Sequence, residues 1–309
     1  PREHRQQKTH GRHMEAASAL VDATGIAARR FKVVLDSVNG AGCVVTPMLL
    51  GFLGCETAHL NGEATGRFGR GAEPIAENLG DLCEAVRKHG AAVGFAQDPD
   101  ADRLALVDER GRFLGEEYTL ALTAAQVLRH RRGPVAANLS TSRMIDDVAA
   151  AAGVAVVRAP TGEANVAEAM LRDDCVYGGE GNGGVIDPHV VYVRDSLVGI
   201  VYVLAALAES GKTLSELAAE LPRYEMLKTK LPCESEAVPG MLERVRNAFA
   251  GRDGARLDEQ DGLRVDLPEA WFNVRGSNTE PIVRITAEAR DGETARKLVE
   301  KVRGLVTEA

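Results

Sequence analysis

Short apolar runs alternate along this chain with stretches whose apolar residues recur at helical spacing. Residues 31–35 form an apolar run of strand length, and residues 55–60 form another, with a helix-like apolar stretch between them that ends near Leu53. From 78 to 89, Leu79, Leu82 and Val86 fall three and four residues apart, the mark of one buried helix face. Residues 92–96 and 104–107 are again strand-like. Strand, helix, strand, helix, strand in this order predicts a mostly parallel sheet covered by helices. Residues 117–131 close that unit as a helix.

A second unit begins near Gly133-Pro134. Strands are predicted at 135–139, 154–158 and 175–178, and helices at 142–152, 162–172, 195–210 and 213–221. Thr213 and Glu216 have the spacing of a capping box, and Pro222 marks a stop. From about Tyr224 the rhythm changes. Strand-like runs at 226–231, 262–267, 271–274 and 282–289 surround helices at 239–250 and 292–307, which reads as a small α+β domain on an antiparallel sheet. The predicted fold class is therefore α/β: two successive three-layer α/β/α domains, 30–132 and 133–223, and a small α+β C-terminal domain, 224–309. Residues 1–29 precede them as an N-terminal tail.

Composition narrows the function classes. The 309 residues are 45% hydrophobic, enough for several cores. Net charge is −8, which argues against a nucleic-acid partner, since that needs a basic face. An anionic ligand would have to meet locally placed arginines, lysines or backbone amides. Cysteines 43, 55, 83, 175 and 233 are odd in number, widely spaced and without a CxxC, which fits reduced thiols in the cytoplasm. No run of eighteen apolar residues occurs, so no membrane span is expected. Pro1 to His13 is polar and basic, with no secretory h-region.

Four loops at predicted strand or helix ends carry candidate chemistry. In Gln97-Asp98-Pro99-Asp100-Ala101-Asp102-Arg103, three carboxylates alternate within five residues. Charges this dense repel unless a cation sits among them, and a hard divalent ion with oxygen ligands suits them. The bland reading is a solvated acidic turn. An EF-hand is excluded although Glu109 falls at its twelfth position, because its sixth, which must be glycine, is Arg103. A metal loop at a strand end remains, with Mg²⁺ as the cation.

The second loop is Thr161-Gly162-Glu163-Ala164-Asn165. The third, Gly178 to Gly184, frames Glu180 and Asn182 with five glycines, which let a ligand come close while the acid and amide bond its hydroxyls. A glycine-rich hairpin or linker is the plain alternative. The fourth is Arg275-Gly276-Ser277-Asn278-Thr279-Glu280-Pro281, a guanidinium fork followed by small polar residues, suited to an oxyanion. An ordinary Asn/Ser/Gly turn is its alternative. Asp36 to Gly40 reads as turn chemistry, Arg67 and Arg70 as part of a solvated glycine-rich loop, and Trp271 as core. His189 lacks partners at metal spacing.

Together and in this order, the four loops resemble the α-D-phosphohexomutase superfamily over about residues 14–309. Asp98 to Arg103 is similar to its Mg²⁺ loop, usually DGDGDR or DPDADR. Glu180 to Asn182 is similar to its sugar loop, usually GExSG, and Arg275 to Thr279 to its RxSxT-type phosphate loop. Gly162 to Asn165 and the Gly-Glu-Gly-Asn-Gly-Gly form resemble the archaeal-type phosphoglucosamine mutase and phosphomannomutase branch. Gly184 stands where many relatives carry His. No loop like the family's TASHNP-type phosphoserine loop occurs, so the resemblance covers domains two to four, preceded by the end of a first domain.

The resemblance implies an isomerase of the intramolecular phosphotransferase kind, interconverting glucosamine, mannose or glucose 6-phosphate and 1-phosphate. It implies Mg²⁺ on Asp98, Asp100 and Asp102, with Arg103 catalytic. It implies substrate binding by Glu180, Asn182, Arg275, Ser277, Asn278 and Thr279, and a hexose 1,6-bisphosphate as activator and intermediate. The expected partner is a phosphorylated hexose, with no nucleic acid and no membrane, and the protein is a monomer or homodimer. Without the phosphoserine the chain alone is expected to be inactive. A non-catalytic phosphosugar- or Mg²⁺-binding protein is the alternative.

Overall fold

The computed structural model describes residues 2–277 and 280–307, residues 2–8 by backbone alone. Its first unit contains α1 (Arg2–Ser18), α2 (Ala23–Arg29), β1 (Lys32–Asp36), α3 (Gly42–Phe52), β2 (Glu56–Leu60), α4 (Gly80–His89), β3 (Val93–Gln97) and β4 (Leu104–Asp108). The sheet order is β2-β1-β3-β4, parallel except for β4, which returns antiparallel to β3. Alternation sorts the apolar residues onto two faces. Val33, Leu35, Val93 and Phe95 face one core, and Val34, Ala96, Ala105 and Val107 face another under Leu79, which precedes α4, and Leu82 and Val86 of α4. Burial on both faces explains why β1 and β3 read as continuous apolar runs.

The second unit contains α5 (Glu117–His130), β5 (Val135–Asn138), α6 (Met144–Ala152), β6 (Val156–Ala159), α7 (Glu163–Arg172), β7 (Tyr177–Gly179), β8 (Val185–Ile186), α8 (Ser196–Ser210) and α9 (Leu214–Ala219). Its sheet runs β6-β5-β7-β8, with β8 antiparallel to β7. Helix α5 follows β4 in the chain but packs on this sheet, through Leu120, Ala124, Val127 and Leu128. In α8, Ser196 through Leu207 are all buried. The helix is apolar all round because it packs on both units at once, giving Leu197, Ile200, Val201 and Leu204 to the first core and Val198 and Tyr202 to the second. The capping box of α9 is present: the Thr213 N–H donates to the Glu216 carboxylate at 2.8 Å, and the Glu216 N–H donates to Thr213 Oγ1.

The last unit contains β9 (Glu225–Pro232), α10 (Val238–Phe249), β10 (Arg256–Asp258), β11 (Leu263–Asp266), β12 (Ala270–Gly276), β13 (Ile282–Ala289) and α11 (Gly292–Thr307). The five strands run β10-β11-β12-β13-β9, all antiparallel. Val265, Phe272, Val274, Val283, Ile285 and Ala287 pack under α10 and α11. Alternate positions (Asn273, Arg275, Arg284, Thr286, Lys228 and Lys230) form an open polar face. One buried and one wet face is the usual state of an antiparallel sheet. The predicted architecture of two α/β domains followed by a C-terminal sheet domain is thus present. Among the described residues no helix is long and apolar enough to cross a membrane.

Candidate functional site

The acidic loop connects β3 to β4. Asp98 is 1% exposed. Its Oδ1 accepts the N–H groups of Asp102 and Arg103 at 3.2 and 3.1 Å, and its Oδ2 accepts Arg103 Nε at 2.6 Å. The loop is braced from behind. Ala41 N–H donates to Pro99 O at 2.8 Å, and Ser196 Oγ donates to Ala101 O at 2.6 Å. Gln97, fully buried, donates to Ser196 Oγ and to Thr46. Ser37 Oγ, in the Asp36 to Gly40 turn, donates to Gln97 Oε1 at 3.1 Å, so that turn also braces the loop. Arg70 departs from the expected solvated placement. Its side chain is only 8% exposed, and it bonds Asp36 Oδ2 at 2.9 Å and Gln97 O at 2.6 Å, so it joins the ends of β1 and β3.

Asp98, Asp100 and Asp102 each offer a carboxylate oxygen, all within 4.8 Å of one another. Burial would raise Asp98, but the hydrogen bonds from Arg103 outweigh it and hold its carboxyl below the usual range. Asp102 is pushed up to about 7, first by burial and then by the Asp98 charge. Its Oδ1 is buried without a hydrogen-bond partner. A buried carboxylate oxygen with no hydrogen-bond donor, only Arg103 Nε at 3.9 Å, beside two further carboxylates fits a hard divalent cation with oxygen ligands.

The glycine-rich loop is the tip of the β7–β8 hairpin, so the plain hairpin reading holds for its backbone while its side chains face a cleft. Glu180, 3% exposed, is saturated. Its Oε1 accepts Asn138 Nδ2 at 2.7 Å and Gly162 N–H at 3.1 Å; its Oε2 accepts Arg194 at 2.8 Å and Asn182 Nδ2 at 3.4 Å. Four donors fill its lone-pair positions, and the long Asn182 bond is the easiest to exchange for a ligand hydroxyl. Gly181 faces the Glu117 carboxylate so closely that an added Cβ would lie 2.0 Å from it. Gly183 has φ +89°, and its carbonyl accepts Leu104 N–H at 3.0 Å. With the bridge pairing Arg103 and Gly184, this joins the glycine-rich hairpin to the acidic one.

Arg194 is one of the residues, with Glu117 and Lys230, that motif reasoning missed. Its guanidinium reaches Asp102 at 2.5 Å, Glu163 at 3.1 Å and Glu180 at 2.8 Å, and so ties three of the four loops together. In sequence it is a lone arginine before the α8 cap. The only available signal was that Glu163, Glu180 and Asp102 together need a cation.

The open face of the last sheet closes the cleft, which has a volume of about 430 Å³. Glu180 and Asn182 line it opposite Arg275, Arg284 and Lys230. These three cations are register neighbours across β12, β13 and β9. The acidic loop does not line this cleft; it meets it through Arg194. Ser277 lies just past β12, with its N–H on Ile282 O. Asn278 and Thr279 lie outside the described residues.

Glu117 also lines the cleft. Its Oε2 accepts Ser142 N–H at 2.9 Å, and its buried Oε1 has no partner. Burial pushes its carboxyl from 4.5 to about 8, against the lowering influence of Lys228. A carboxyl that holds its proton more tightly when folded contributes stability below its unfolded pKa and loses it as pH rises towards the folded value. Wild type should therefore lose on the order of 2 kcal/mol relative to Glu117→Gln between about pH 5 and 8. Parallel thermal melts of the two proteins across that range check this; a constant difference would mean that Glu117 ionises normally.

Compared with known proteins, residues 11–111 match the family model for "Phosphoglucomutase/phosphomannomutase, alpha/beta/alpha domain II". Residues 116–224 match that for alpha/beta/alpha domain III, and residues 227–305 that for the C-terminal domain. The chain is 40% identical over 299 residues to a "Phosphoglucomutase/phosphomannomutase" of Thermococcus kodakarensis, a match covering 96% of this chain and 65% of that protein. It is 39% identical over 285 residues to a "Probable phosphoglucosamine mutase" of Methanopyrus kandleri, covering 90% and 62%. The chain thus spans less than two thirds of the length of these relatives. The crystal structure of a phosphoglucomutase/phosphomannomutase family protein from Burkholderia thailandensis superposes with a TM-score of 0.83 at 26% identity, over 96% of this chain and 64% of that one.

Proposed function

Because this chain belongs to the phosphoglucomutase/phosphomannomutase family, we propose that it carries the metal-, sugar- and phosphate-binding parts of a phosphosugar mutase. That enzyme interconverts hexose 6-phosphates and 1-phosphates. The observation that supports this most is the facing of Glu180 and Asn182 by Arg275, Arg284 and Lys230 across one cleft, with Arg194 joining Glu180 to the acidic loop. The spacing suits a small molecule with hydroxyls at one end and a phosphate at the other.

In this reading Asp98, Asp100 and Asp102 hold Mg²⁺. When bound, the ion neutralises charge on the phosphoryl group in transfer. Arg103, oriented by Asp98, stabilises the same charge from the protein side. Glu180 and Asn182 exchange their mutual bond for sugar hydroxyls, and Arg275, Ser277, Asn278 and Thr279 grip the phosphate that does not react. Remote binding energy of that kind orients the reacting end. In this reading the phosphoryl donor is a phosphoserine, and the residues named here supply binding and charge stabilisation.

Calorimetry tests the reading. Glucosamine, mannose and glucose 6-phosphates should give binding heats where the free hexoses give none, and Mg²⁺ should give heats that Asp100→Asn largely removes. Equal, negligible heats for phosphorylated and free sugars would remove the substrate claim. Equal Mg²⁺ heats for wild type and variant would remove the metal assignment.

A further inference from the structure

We infer that Asp261 is a positioning residue: it couples contact between the last sheet and the second unit to the presentation of Arg275 in the cleft. The inference rests on the phosphosugar reading for its ligand, but its geometry stands apart from that reading. Asp261 lies between β10 and β11, at the edge of the cleft. Its Oδ2 accepts the N–H of Thr161 at 3.0 Å, across from the last unit to the second. The same oxygen lies 4.0 Å from Arg275 Nε. Its backbone carbonyl accepts Asn273 Nδ2 at 3.3 Å. Thr161, Asn273 and Arg275 all line the cleft. One carboxylate thus touches a sugar-side backbone donor and faces the phosphate-side arginine. The oxygen that holds the Thr161 loop is the one that faces the root of Arg275, so the two are placed together.

The rest of the interface does not depend on this contact. Arg143 donates its N–H to Glu288 and its guanidinium to Asp266, Leu267 O, Pro268 O and Ala270 O. Arg264 donates to Leu139 O and lies over the Trp271 ring at 4.0 Å. The last unit therefore stays docked when Asp261 is changed, and what is lost is the alignment of Arg275 with the sugar side. A carboxylate whose effect was only to weaken the positive charge of Arg275 would act in the opposite direction. Removing it would then tighten anion binding.

Two measurements on Asp261→Ala, Asp261→Asn and Asp261→Ser separate these cases. In the unliganded chain, amide hydrogen exchange at Thr161 should speed up at least tenfold in the alanine and serine variants. It should stay near wild type in the asparagine variant, whose side-chain oxygen still accepts the N–H. In calorimetry, hexose 6-phosphate affinity should fall about tenfold for alanine and serine and within threefold for asparagine, while inorganic phosphate changes little for any of them. Unchanged Thr161 exchange in the alanine and serine variants overturns the inference, as does tighter hexose phosphate binding by all three. If wild type binds no hexose phosphate, the functional reading fails, and the exchange arm alone still decides the role of Asp261.

Discussion

Arg194→Ala should lower the melting temperature by roughly 5–10 °C in chelator, and Mg²⁺ should restore part of that loss. Removing one partner of a buried ion pair leaves the others without compensation, which costs roughly 3–5 kcal/mol. Here the guanidinium is 20% exposed and serves Asp102, Glu163 and Glu180, with Glu180 the most deeply buried, so the lower part of that range applies. A loss of 1 kcal/mol moves the midpoint by about 2–4 °C for a domain of 150–250 residues. A divalent ion on the acidic loop replaces the missing charge at Asp102 but reaches neither Glu163 nor Glu180, hence the partial rescue. Arg194→Lys should recover less than the wild-type value, because a single ammonium cannot span three carboxylates as a planar fork does. Scanning calorimetry with and without Mg²⁺ checks this. An alanine variant that melts like wild type in chelator would show that the three acids find other partners.

Arg275→Ala should weaken hexose 6-phosphate binding by about one to two orders of magnitude, with little change in melting temperature. A charge-assisted hydrogen bond to an anion is worth roughly 1.5–3 kcal/mol. The side chain is 22% exposed at the cleft, and its recorded ion pair, with Asp261, is long at 4.0 Å. Little packing is lost with it, and Arg284 and Lys230 remain beside it as residual cations. Titration calorimetry beside a thermal melt gives the answer. Equal affinity, or an unfolded variant, would make Arg275 a structural residue and not a phosphate ligand.

The elements most legible in the sequence are those whose burial follows their own periodicity. In 292–307, Ala295, Leu298, Val299, Val302 and Val306 keep helical spacing, and all are buried. Strand β10 was not legible, because Arg256-Leu257-Asp258 has one apolar residue and owes its form to pairing with β11. The acidic, glycine-rich and Arg-Gly-Ser-Asn-Thr loops announced themselves by composition. Their meeting through Arg194 did not, because it exists only once three distant segments converge. Arg70 misled for the converse reason. Its glycine-rich neighbours suggest a loose loop, whereas the buried Asp36 at the end of an apolar strand demanded a counter-ion.

The pairing of Arg103 with Gly184, and of Leu104 N–H with Gly183 O, has a consequence for motion. It splices the acidic hairpin and the glycine-rich hairpin into one ribbon across two sheets, and α8 lies beneath both. These two hairpins therefore share one set of rigid-body coordinates. The separation of Asp98 from Glu180 is thus set within one ribbon, whereas that of Glu180 from Arg275 is set across the contact between two units.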